Sequence, residues 1–386
     1  MKTCEAIQKA WPTYSVSWAL GLFWLAALLV ADATAGAATV QVQVGGTGPE
    51  FTPYAVRIRP GDTVQWNWAL TPHGASVTSG TLTQPTGLFD SGIRSQGYTF
   101  SYTFMSAGWF DYFCKVEPEM MTGVVEVIGS QASNISTRVR VETGENVMIG
   151  GFIVSGLEPK KVIIRALGQS LQQFELTDLL DDPVVELRSS TGAVLASNDN
   201  WKDTQQAAID ETGLRPQSEL ESAIVATLNP GSYTAVVSGK SGTSGVGLVE
   251  VYDLGPDVVS RLANLSTRGF VQTGSNVMIA GFILANGTQA AKVVVRAIGP
   301  SLSQFNINGA LANPTLELRD GNGGLVQSNN DWKESQQADI EATGLQPQND
   351  LESAIVAELL PGNYTGIVAE AGGGTGVGLV EVYQVW

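Results

Sequence analysis

The chain repeats itself over its last two thirds, and the length of the repeat limits what it can fold into. "NVMIGGF" at 146 returns as "NVMIAGF" at 276, an offset of 130 residues, and "RALGQSL" at 165 returns as "RAIGPSL" at 296, an offset of 131. After that one-residue insertion the register holds through "SNDNWKD" and "SNNDWKE", both copies of "LESAIVA", "PGSYT" and "PGNYT", and both copies of "GVGLVEVY". Solenoid units run to about 20–50 residues, so a period this long predicts whole domains, each with its own core. Residues 134–254 and 264–386 are therefore expected to be tandem modules.

Within each copy the pattern is mostly strand. "KKVIIRAL", "PVVELRS", "SAIVATL", "GSYTAVVSG" and "VGLVEVY" are β-rich runs separated by Gly, Pro, Asn and Asp turns. One short helix is expected near "DTQQAAIDETG", capped by Asp203 or Thr204 and ended by Gly213, and again at "ESQQADIEATG". The combination predicts an antiparallel β-sandwich with a helix on one connection. The set "ISTR…NVMI.GF", "RA.G.SL", "SN..W" and "ESAIVA" resembles a module that recurs in large exported bacterial proteins, broadly similar to the pre-peptidase C-terminal type of sandwich. That resemblance implies an accessory or adhesive role. The acidic positions Asp199, Asp203, Asp331 and Glu334 offer oxygen ligands of the kind calcium takes, but match no known calcium loop, and turn residues capping backbone amides are the commoner use.

Ahead of the modules, Lys2 and Lys9 precede the apolar run "WALGLFWLAALLVA" (18–31) and the small residues of "DATAGAAT". This has the form of an export signal and is short for a membrane span, so residues 1–38 are expected to be cleaved. The mature chain is then expected to have no span and to reside in the periplasm or outside the cell. Cys4 would leave with the signal, so Cys114 would remain without an intramolecular disulfide partner in an oxidising compartment. The formal charge of −16 repels phosphate backbones and anionic membrane surfaces, which argues against a nucleic-acid partner.

Residues 39–130 read as a smaller β-domain of about seven short strands, the number of a Greek-key sandwich. "VQVQV" alternates, "YAVRIRPGDTVQWNW" supplies two strands around a turn, and "YTFSYTF", "GWFDYFC" and "GVVEVIG" follow. The ordered set "F.P" (51–53), "GDTVQW" (61–66), His73, "FDSG" (89–92), "YTFSYTF", "G.F.YFC" (108–114) and "M.TG.V.V" resembles the plastocyanin, amicyanin and halocyanin branch of the cupredoxins. The resemblance implies one copper, held by a histidine in the first half and a Cys-His-Met cluster on the loop before the last strand.

Carried over residue by residue, His73 matches the first histidine, Cys114 the thiolate and Met120 the axial thioether, with Met121 the alternative by one place. Glu117 stands where the second histidine belongs. The chain contains a single histidine, so no other imidazole replaces it. A carboxylate ligates Cu(II) but is harder than imidazole, and is expected to lower the potential and draw the geometry toward tetragonal. Trp66, Trp68, Trp109, Phe110, Tyr112 and Phe113 are expected mainly to fill the core.

One histidine also excludes much catalysis. Multicopper oxidases, zinc hydrolases and Ser-His-Asp hydrolases need more, or need this one elsewhere. The glycine-rich "GKSGTSGVG" and "AGGGTGVG" precede strands and read as turns, with no phosphate-binding loop. The chain is thus expected not to be an enzyme. It reads as all-β, an exported copper-binding cupredoxin sandwich followed by two sandwich modules, with a redox protein or an extracellular surface as partner. The alternative is a structural or adhesive protein whose first domain has lost its metal.

Overall fold

In the computed structural model, residues 37–385 are described apart from 70–72, 157, 256–259, 286 and 288, and the expected export signal lies outside the described residues. The first domain contains β1 (Thr39–Val44), β2 (Phe51–Thr52), β3 (Ala55–Ile58), β4 (Thr63–Trp68), β5 (Thr78–Gly80), β6 (Pro85–Asp90), β7 (Thr99–Thr103), β8 (Gly108–Phe113) and β9 (Thr122–Val127). They form two facing sheets, β2-β1-β4-β7 and β3-β9-β8-β5-β6. The alternating apolar residues of β4, Val64, Trp66 and Trp68, point inward with Val42, Val44, Phe89, Phe104, Tyr112 and Val125. Of the expected aromatic core, Trp66, Trp68, Tyr112 and Phe113 are buried and Phe110 packs against the cluster, whereas Trp109 is 66% exposed.

The first module comprises β10 (Gln131–Val141), β11 (Met148–Ser155), β12 (Lys160–Leu167), β13 (Pro183–Ser189), β14 (Val194–Asn198), α1 (Gln206–Glu211), β15 (Ser222–Leu228), β16 (Gly231–Gly239) and β17 (Gly245–Asp253). The second repeats it as β18 (Arg261–Val271), β19 (Met278–Ala285), β20 (Ala291–Ile298), β21 (Pro314–Asp320), β22 (Leu325–Asn329), α2 (Gln337–Ala342), β23 (Ser353–Leu359), β24 (Gly362–Glu370) and β25 (Gly376–Val385). The short helix falls where the sequence places it, but Gln205, not Asp203 or Thr204, occupies its N-cap. The Gln205 side chain instead binds both backbone groups of Val225 and ties the helix to β15.

The shared motifs are braces for this fold. The Glu221 carboxylate is fully buried and accepts hydrogen bonds from Gly168 N, Ser170 N, Ser170 Oγ and Ser218 N. Glu352 does the same for Gly299, Ser301 and Asn349. That couples "RA.G.SL" to "ESAIVA". The Asn198 and Asn329 side chains accept from Ala223 N and Ala354 N, and so couple "SN..W" to the same strand. Arg165 pairs with Glu250, and Arg296 with Glu381, linking "RA" to "VEVY".

The expectation of a separate core in each copy gives way to a shared one. Strand β10 pairs with β17 of its own copy and with β19 of the other, while β18 pairs with β25 and with β11. Two continuous rows result, β14-β13-β16-β11-β18-β25-β20-β23 and β15-β12-β17-β10-β19-β24-β21-β22. One apolar cluster runs through both copies, from Val139, Phe152 and Ile164 to Leu265, Phe282 and Val295. The physical reason lies at the edges. Taken alone, a copy would leave β10 and β11 each with one unpaired flank, and the other copy fills both flanks.

The first domain is attached by the same device that joins the modules. Ser260 Oγ donates to Glu158 O in the first module, and the equivalent Ser130 Oγ donates to Gln289 O in the second. Gln289 Nε2 reaches Met105 O, Gln384 Nε2 reaches Ser130 O, and Glu126 lies 3.0 Å from Arg57 and 3.7 Å from Arg261. These contacts gather at the far end of β9. Its start, beside the Cys114 loop, lies roughly 17 Å away at about 3.4 Å per residue, so the cysteine end points away from the modules.

Candidate metal centre

Cys114 follows the last residue of β8 and is fully buried. Its Sγ accepts two backbone hydrogen bonds, from Ser76 N and Val116 N, each 3.4 Å. Lys115 N donates to Ser76 Oγ at 2.8 Å, fixing the loop before β5 against the residue after the cysteine. The two N–H groups hold the sulfur in one place, at the end of β8 and against the loop before β5. Ser76 had no role in the sequence reading. No pattern in "HGASVTSG" marks it, because it contributes through its backbone amide and the position of its hydroxyl.

The loop closes through Cys114 N to Met121 O at 3.0 Å and Met121 N to Glu117 O at 2.9 Å. Here the two methionines separate. Met120 is 64% exposed, whereas Met121 is 2% exposed and belongs to the buried cluster that contains Cys114. Of the two, Met121 is the methionine that shares a buried cluster with the thiol, while the Met120 side chain faces solvent. Strand alternation carries the signal: Met121 is in phase with Gly123, Val125 and Val127, whose side of β9 faces the apolar core. Gly123 itself is required, because a Cβ there would overlap the ring of Tyr112, its cross-strand partner.

The other two expected donors lie on the loops around this end. His73 lies in an exposed turn directly after residues 70–72, which are outside those described. Gly74 follows with φ 75°, and a Cβ at that position would stand 2.9 Å from Ile93 Cγ2 and 3.1 Å from Arg94 O. Glu117 is half-buried. Among the described residues no three His, Cys, Asp or Glu side chains stand together as a metal-holding group. The side chains present thus fit half of a copper set, a cradled sulfur with a second buried sulfur in the same cluster. They do not form a closed four-ligand site.

Around this end, burial pulls the Asp90 carboxyl upward, but hydrogen bonds from Lys115, Gly92 and Thr78 outweigh it and hold the group below its ordinary value. Burial pushes the Tyr112 phenol up to about 12, against a smaller downward pull from the Trp66 indole. The Tyr112 hydroxyl and the Trp66 N–H are both buried and lack hydrogen-bond geometry to a partner.

The acidic loops of the modules are engaged otherwise. In the first module, Lys240 Nζ lies 2.6 Å from Asp199 and 3.4 Å from Asp182, and Asn200 donates to Asp203; in the second, the main chain of Glu334 and Asp331 closes a turn, and Asp331 Oδ1 is buried without a hydrogen-bond partner.

Residues 38–128 match the family model described as copper binding proteins, plastocyanin/azurin family. Among solved structures, a purple cupredoxin from Nitrosopumilus maritimus is 22% identical, with 23% of this chain and 99% of that one covered and a TM-score of 0.21. The Cu(I) form of an amicyanin point mutant is 24% identical, covering 24% of this chain and 83% of that one, also with a TM-score of 0.21. The first domain thus matches the plastocyanin/azurin family of copper-binding proteins over nearly its whole length, and the match ends where the module pair begins.

Proposed function

We propose that the protein is exported and binds one copper at the outer end of its cupredoxin domain, exchanging electrons with a partner protein there. The observation that carries this reading is the buried Cys114 sulfur, held by two backbone N–H groups and sharing its cluster with the Met121 thioether. Thiolate and thioether are soft donors that suit Cu(I), the state that depends least on a second imidazole. His73 and Glu117 are the remaining donors in reach of the family pattern, with Glu117 as the weak member. The module pair serves as a mount that turns this end outward, toward a redox protein or an extracellular surface.

A second reading is a structural protein whose first domain no longer holds metal. It is favoured by Glu117 in place of histidine and by the fact that, among the described residues, His73, Cys114 and Glu117 do not stand together as a group of three. Copper titration of the mature protein under reducing and then oxidising conditions, with absorption and paramagnetic resonance spectra, separates the two. Stoichiometric binding lost in Cys114→Ser supports the copper reading. Binding no stronger than in that variant leaves the structural one.

A further inference from the structure

The two modules are related by an internal twofold axis, and the contacts across it come in reciprocal pairs. Arg138 donates to Ser275 O, while its counterpart Arg268 donates to Glu145 O, the counterpart of Ser275. The β10–β19 and β11–β18 ladders carry matching registers, each with a shift at the same place. On the axis a residue meets its own counterpart. Thr137 Oγ1 lies 2.8 Å from Thr267 Oγ1, and Arg140 is paired with Phe270. Such an interface is of the kind two identical subunits make, here joined in one chain.

Besides Arg140 opposite Phe270, the axis is asymmetric at one buried position. Val139 and Gly269 are counterparts, both buried, and they face each other. A Cβ at Gly269 would overlap Val139 Cγ1, with Cγ2 and Cβ at 3.1 and 3.3 Å. Gly269 has no positive φ and sits within β18, so backbone geometry does not demand glycine here. The space it leaves is filled by the valine opposite.

We propose that Val139 and Gly269 form a knob and hole that commits the first module to the second and not to another copy of itself. Two first modules would set valine against valine in a space that admits one side chain. Two second modules would set glycine against glycine and leave a void. Each like pairing is penalised, by overlap in one case and by lost packing in the other. The kind of partner that the β10/β11 surface fits is therefore the second module, and the asymmetry steers neighbouring chains away from like-with-like assembly during folding.

Exchange of the pair tests this in the full chain. Gly269→Val should lower the melting temperature of the module pair by about 5 °C, or prevent folding, and Val139→Gly should lower it by a similar amount. The double variant Val139→Gly/Gly269→Val, which turns the knob around the axis, should recover most of the loss. If the double variant melts no higher than Val139→Gly alone, the proposal fails, and this comparison survives a Gly269→Val chain that does not fold. As a partner test, a protease site placed between Gly255 and Ser260 allows the chain to be cut, unfolded and refolded as a mixture. Native mass spectrometry should find one N-terminal with one C-terminal fragment, and assemblies containing two N-terminal fragments would overturn the assignment.

Discussion

Replacing each methionine of the Cys114 loop in turn separates a ligand role from a packing role. Met121 is 2% exposed, and its truncation to alanine removes a buried thioether chain, which should cost about 2–5 kcal/mol. At about 4–8 °C per kcal/mol for a domain of this size, the cupredoxin transition should fall by at least about 8 °C. Met121→Leu keeps the volume and should cost less than about 1.5 kcal/mol, while still removing the sulfur. Met120 is 64% exposed, so Met120→Leu and Met120→Ala should stay within about 0.5 kcal/mol. The assay is thermal unfolding of the metal-free chain, paired with Cu(I) titration against a competing chelator. Met121→Leu should nearly retain the melting temperature and weaken copper binding, whereas Met120→Leu should change neither. If Met120→Leu weakens copper binding and Met121→Leu does not, the assignment of the buried thioether is wrong.

Glu117→His should strengthen the thiolate-to-copper absorption and raise the reduction potential, and a copper-loaded variant that stays colourless would remove Glu117 from the ligand position. Glu221→Ala should destabilise the module pair by about 3–5 kcal/mol, because Gly168 N, Ser170 N, Ser170 Oγ and Ser218 N lose their acceptor, and denaturant melts read this directly. Glu221→Gln retains acceptor capacity and should cost less. The Tyr112 phenol is raised from 10.0 to about 12 in the fold, so it contributes stability that is complete below pH 10 and is lost as pH rises toward 12. That contribution is about 2–3 kcal/mol, and it should vanish from the alkaline unfolding profile of Tyr112→Phe.

What the sequence disclosed followed physical range. Local signals were legible: the alternation in β4, the helix before Gly213, and the repeat itself all read through to structure. Loop spacing points to Met120 and leaves Met121 as the alternative, while the strand phase running from Val127 back to Met121 points to the methionine that is buried. Ser76 was invisible because a backbone amide has no side-chain signature, and its distance from Cys114 in sequence hides the contact. The shared core was hidden for a related reason. A strand with a missing neighbour looks the same in sequence as a strand with one, so the edges of β10 and β11 gave no sign that the other copy completes them.

The contrast between the two halves bears on function. In the modules nearly every recurrent motif is consumed by bracing: Glu221 and Glu352 cap turns, Asn198 and Asn329 hold a strand, and the arginines pair across the sheet. Recurrence there reports the demands of the fold. At the outer end of the first domain the reverse holds. Two backbone N–H groups converge on Cys114, a sulfur atom that needs neither of them for packing, in a cluster that another sulfur shares. A buried thiol packs in apolar surroundings without directed donors, so two N–H groups aimed at one sulfur point to a use beyond packing. A held, buried sulfur is what a metal site starts from, and for that reason copper binding at Cys114 is the function proposed, even with Glu117 where the family pattern has histidine.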